Sequence, residues 1–151
     1  MADQNKNPIY NISVNYLDNQ FYITPLVRMP PAGLRTEVLP LYTAADNNFE
    51  KFVEAIECAK LQSDVRYNQN VSDREEWDGD NEKIWNTAQK SWDIFWEEDG
   101  SVSIGFSKPY VKHRNGVEWI NVPEAKKSLA PNTSSSNIAE EILKQAKAQI
   151  V

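Results

Sequence analysis

Residues 91–106 run "SWDIFWEEDGSVSIGF". Trp92, Ile94 and Trp96 alternate with Ser91, Asp93 and Glu97, and Phe95 is the one bulky residue on the polar side. A period of two places the apolar set on one face of a strand, because successive side chains point to opposite sides. "EEDGS" follows, and its Asp99–Gly100 pair suits a turn that needs positive φ. Val102, Ile104 and Phe106 answer with the same period against Ser101, Ser103, Gly105 and Ser107. Two strands with matched faces and a tight turn make an antiparallel hairpin. Its apolar face needs a covering layer, so the rest of the chain must supply one.

Outward from this hairpin, Asn115–Gly116 separates "PYVKHR" from "VEWINV" and implies a second one. Ser91 to Val122 is therefore expected to be a meander of about four strands, with Trp119 alternating with Val117 as a core residue. Near the start, Ile12, Val14 and Tyr16 alternate with Ser13 and Asn15, "LDNQ" supplies a turn, and Phe21 and Ile23 continue beyond it. The expectation is a half-buried hairpin whose second strand is an edge, or bends, at Pro25, which has no amide to donate. "LRTEVLPLY" is a short extended piece.

The covering layer comes from two helices. Phe49, Phe52, Val53 and Ile56 recur at spacings of three and four behind a cap at Asn47 or Asn48, and the helix ends near Ser63. Cys58 on this helix is expected to be a buried, inert thiol, since a single cysteine has no partner for an internal disulfide. "SSSNIAEEILKQAKAQ" is the second helix, with Ser136 or Asn137 as its cap and Glu140 and Glu141 near its positive start. Ile138, Ile142 and Ala146, with Ala139 and Leu143 beside them, form the stripe that docks on the sheet. No linker divides the chain. Residues 1–151 are one α+β domain: an antiparallel sheet of hairpins and meander, a central amphipathic helix and a C-terminal helix packed on it.

Composition narrows the function. The start, "MADQNKNPIY", lacks a basic segment followed by an apolar one, and no apolar run approaches membrane-spanning length, so a cytoplasmic protein without membrane contact is expected. A net charge of −6 argues against nucleic-acid binding, which needs cations to replace counterions on phosphate. The distribution says more than the total. In "SDREEWDGDNE", Ser72 to Glu82, the acids Asp73, Glu75, Glu76, Asp78, Asp80 and Glu82 with Arg74 carry −5 of that −6.

Catalytic sets are missing from the pattern. The one histidine, His113, lies between Lys112 and Arg114 beside a turn, where an exposed loop residue is the simpler reading. One His and one Cys are too few ligands for zinc, and the five glycines form no phosphate loop. The acidic run fails the spacing of a calcium-binding hand, because counting from Asp73 puts Trp77 fifth and Asp78 sixth. The expectation is a non-enzyme with no cofactor and no metal. Two readings of the run then compete. A solvated loop is the commoner fate of charge runs. Against it, the charge is gathered rather than spread, and Trp77 sits among the carboxylates as aromatic anchors sit within charged rims. Glu97, Glu98 and Asp99 form a smaller acidic turn that extends the same field.

The C-terminal part resembles a known family. "SWDIFWEEDGSVSIGFSK", then "VEWINV", then "LAPNTSSSNIAEEILKQA" looks like the immunity proteins of bacterial contact-dependent growth inhibition and related polymorphic toxin systems. The tail residues that carry the likeness are Ser134, Ser135, Ser136, Ile138, Ala139, Ile142 and Leu143, and the resemblance covers Ser91 to Ala148. It implies a cytoplasmic antidote that binds and neutralises one cognate toxin domain, a nuclease with a basic cleft in many such systems. The chain itself is expected to be a monomer or, through its apolar strands, a homodimer. The other readings are a small hydrolase or nucleic-acid-processing enzyme using His113, and a structural or adaptor domain in which the acidic run does nothing.

Overall fold

The computed structural model describes residues 10–29, 34–37, 41–63, 87–113 and 116–147. They form eight strands and two α-helices: β1 (Tyr10–Leu17), β2 (Gln20–Met29), β3 (Leu34–Glu37), β4 (Tyr42–Ala45), α1 (Phe49–Gln62), β5 (Lys90–Trp96), β6 (Val102–His113), β7 (Gly116–Asn121), β8 (Lys127–Leu129) and α2 (Ser135–Lys147). The antiparallel sheet runs β3–β2–β1–β5–β6–β7, with β4 also on β2 and β8 also on β6. The α+β fold with a central and a C-terminal helix is the one expected.

The founding hairpin is present in register: Trp92 pairs Phe106, Ile94 pairs Ile104 and Trp96 pairs Val102. These six side chains join Ile12, Val14, Tyr16, Phe21 and Ile23 on one face of the sheet, and Phe52, Ala55, Ile56, Ala59, Ile138, Ala139, Ile142 and Ala146 of the helices close over them. Phe21 and Phe52 stack with centroids 4.0 Å apart. Inside this layer Gln145 of α2 accepts from the Trp92 indole N–H at 2.8 Å and donates to the Ala125 carbonyl at 2.9 Å. Burying a glutamine is tolerable because its amide is bonded on both sides. The Ser135 hydroxyl donates to Glu57, tying α2 to α1.

Several expectations need correcting. β6 is one strand of 12 residues, not two. A register shift between Pro109 and Val111 absorbs the missing proline donor, so Ser91 to Val122 holds three strands, and the further strand β8 follows. "LRTEVLPLY" contains β3 and the start of a separate β4. β2 changes partners at Pro25: it pairs β1 through that residue and β4 over Gln20–Ile23, then β3 from Leu26. α1, by contrast, has the expected bounds: Asn48 caps it, its side chain accepting the Lys51 N–H, and Ser63 closes it. α2 is capped by neither Ser136 nor Asn137. Ser134 accepts the Asn137 N–H at 3.2 Å, because buried Ser135 bonds Glu57 and draws the first turn back. Glu140 and Glu141 therefore lie past that turn, while Lys144 and Lys147 occupy the last one. Trp119 is only half-buried, on the outermost strand β7, and Cys58 is half-buried at the flank of the α1 stripe.

β1 departs furthest from the expected half-exposed strand: both its faces are buried. Asn11, Ser13 and Asn15, which point away from the helices, are 1%, 8% and 0% exposed. The strand is central, and the taller Phe95 and Tyr22 pair with Asn11 and Asn15 on that face.

A candidate protein-binding surface beside the β5–β6 turn

The β5–β6 turn shows how the sequence displays acids. The Glu97 N–H donates to the Ser101 carbonyl at 2.8 Å, and the Gly100 N–H closes the turn on the Glu97 carbonyl at 2.9 Å. Gly100 adopts φ 87°, the left-handed conformation that glycine enters without a steric penalty. Asp99 stiffens the turn by accepting from the Ser101 hydroxyl at 2.6 Å and the Ser101 N–H at 2.8 Å. The Ser101 hydroxyl, and then its amide, hold the Asp99 carboxyl below the usual carboxylate range. Glu97, Glu98 and Asp99 are all exposed. Three carboxylates thus project from one rigid turn.

Beside the turn lies a groove of about 500 Å³. Its floor is the polar side of β6, Ser103, Gly105 and Ser107, and one wall is Asp93, Phe95 and Glu97. The opposite wall forms because β7 and β8 pair with successive halves of β6, and the chain between them steps off the sheet. Val122 stays bonded to the Phe106 carbonyl at 2.9 Å, and Pro123–Ala125 make a 3-10 turn. Pro123 and Lys126 line the groove from this side. Asp93 is oriented by the Asn11 side-chain amide, which donates to it at 2.7 Å. The Ser107 hydroxyl donates to Asn121 at 2.7 Å.

A smaller recess of about 260 Å³ opens on the other side of the turn, between Tyr10, Lys60, Trp96, Glu97, Gly100, Asn132 and Thr133. The Lys60 ammonium stands 5.3 Å from the Tyr10 ring and 5.2 Å from the Trp96 ring, a cation–π contact that fixes the end of α1 on the sheet.

Of the sequence-derived site residues, Glu97, Glu98 and Asp99 are brought together on this turn. Asp73, Glu75, Glu76, Trp77, Asp78, Asp80 and Glu82 lie outside the described residues. His113 ends β6 opposite Gly116, and its side chain lies outside what the structure describes. Asp93 and the groove were not anticipated. The available signal was Gly105, a glycine placed in the middle of a strand with no turn nearby. Among the described residues no group of three or more His, Cys, Asp or Glu is arranged to hold a metal ion, and no helix is long and apolar enough to cross a membrane.

No protein-family model matches the chain, and no curated protein matches it. Among solved structures, the protein of unknown function NMB0488 from Neisseria meningitidis is similar over 97% of this chain and 98% of that one, with a TM-score of 0.60 and 13% identity. What the two share is the fold.

Proposed function

We propose that this chain is an immunity protein of a polymorphic toxin system, which binds one cognate toxin domain in the cytoplasm and neutralises it without catalysis. The toxin is a nuclease with a basic cleft. One observation carries the reading: eleven residues, Ser72 to Glu82, hold −5 of a net charge of −6 around a single tryptophan. Charge gathered in this way creates a local field that steers a cationic partner and speeds its docking. The exposed Glu97–Asp99 turn adds three carboxylates held on a rigid scaffold. The C-terminal resemblance from Ser91 to Ala148 supports the same reading.

The test is co-expression with the C-terminal domain of the large secreted protein whose gene this reading places directly upstream. The expected result is a stable complex that rescues growth. Failure to co-purify, together with unrelieved toxicity, would remove the immunity assignment.

A further inference from the structure

Gly105 lacks an internal reason to be glycine. It lies within β6 between Ile104 and Phe106, and it is not among the residues with positive φ. Among the described residues, a Cβ built there meets only the Asp93 carbonyl, at 3.9 Å, which is ordinary contact. Glycine inside a strand is destabilising relative to alanine, and it often marks a place where a ligand comes close. Here the missing side chain deepens the groove between the Asp93–Phe95–Glu97 wall and the Pro123–Lys126 turn.

We propose that this groove docks an arginine side chain of the protein partner. The lining supplies what a guanidinium requires. Asp93 and Glu97 provide charge, and Phe95 provides an aromatic wall along which a planar cation stacks. Ser107 and Asn121 add hydrogen-bonding oxygens beside the floor. A carboxylate accepts at about four positions, so the bond from Asn11 orients Asp93 and leaves acceptor capacity. Lys126 stands on the opposite rim, so the potential falls across the groove and an entering cation takes the β5 side. Lysine would satisfy the charge but lacks the planar fork that two carboxylates and an aromatic wall select.

The inference rests on the inhibitor reading for the origin of the arginine, and the experiment separates the two. Backbone amide NMR of the full chain is recorded with N-acetyl-arginine amide, with the neutral citrulline analogue as control. The expected result is saturable shifts at Ser103, Gly105 and Ser107 with arginine and none with citrulline. Gly105→Val fills the groove with a side chain that strands favour, and should weaken these shifts about ten-fold with the spectrum otherwise intact. Glu97→Gln, whose side chain takes no part in the turn's main-chain bonds, should weaken them without filling space. Arginine shifts that avoid the groove, or that match those from citrulline, would overturn the proposal. Groove shifts without capture of any toxin domain would leave the cation site standing and remove the immunity reading. Capture without groove shifts would do the reverse.

Discussion

Tyr16 shows how one side chain couples the sheet to the loop before α1. Its hydroxyl donates to Asp46 at 2.7 Å, with Asn19 3.2 Å away, and the residue is 8% exposed. Burial first, then the hydrogen bond and the charge of Asp46, push its pKa from 10.0 up to about 12. The native state thus holds the phenol proton more tightly than the unfolded chain does. Its contribution to stability is complete below about pH 10 and is lost as the pH climbs towards 12. Urea unfolding of the wild type and of Tyr16→Phe should therefore give a constant stability difference from pH 7 to about 9. Above pH 10 the wild type should lose stability faster than the variant. Parallel pH profiles would show that the folded state does not hold the phenol proton above its ordinary pKa.

At the scale of elements, α2 depends on a lysine from another element. The Lys90 ammonium at the start of β5 donates to the carbonyls of Gln145 and Ala146, at 3.1 and 2.7 Å, where the last turn of a helix leaves carbonyls without partners. A cation there also complements the negative end of the helix dipole. Lys90→Met, which keeps the stem, should cost about 1–2 kcal/mol in chemical unfolding. It should also raise amide exchange in the last turn of α2 before it does so in α1. Uniform loss of protection across both helices would mean that the lysine acts through the core instead. Nothing in the sequence flags this pairing, because it joins residues more than fifty positions apart. The hairpin centred on Asp99–Gly100 was legible, since alternation and turn chemistry are local and agree with each other. So were both helical stripes. The β6 bulge at Pro109 was not, because a proline looks like a strand end until a neighbour's register accommodates it. The acidic turn was visible as three adjacent acids. The groove beside it was not, because its far wall exists only where β7 and β8 share one edge of β6.

For the whole molecule the deciding quantity is where the charge sits relative to the partner. Outside Ser72–Glu82 the chain is nearly neutral, so on the proposed inhibitor reading long-range steering would come from that run, with Glu97, Glu98 and Asp99 as a second source. The two sources separate by experiment. Replacing Asp73, Glu75, Glu76 and Asp78 with lysine reverses the sign of the run. It should slow association with the toxin domain about ten-fold or more in low salt. Lysine at Glu97, Glu98 and Asp99 should have the smaller effect on the rate, since it leaves the run intact. At about 1 M salt the Debye length falls to roughly 3 Å, and wild type and run variant should then associate at similar rates. Short-range contacts are screened far less, so a groove variant such as Gly105→Val should act on dissociation and keep its effect in high salt. Stopped-flow association across a salt series, with dissociation measured in parallel, resolves these contributions. If the wild-type on-rate proved insensitive to salt, the gathered carboxylates would have no part in steering.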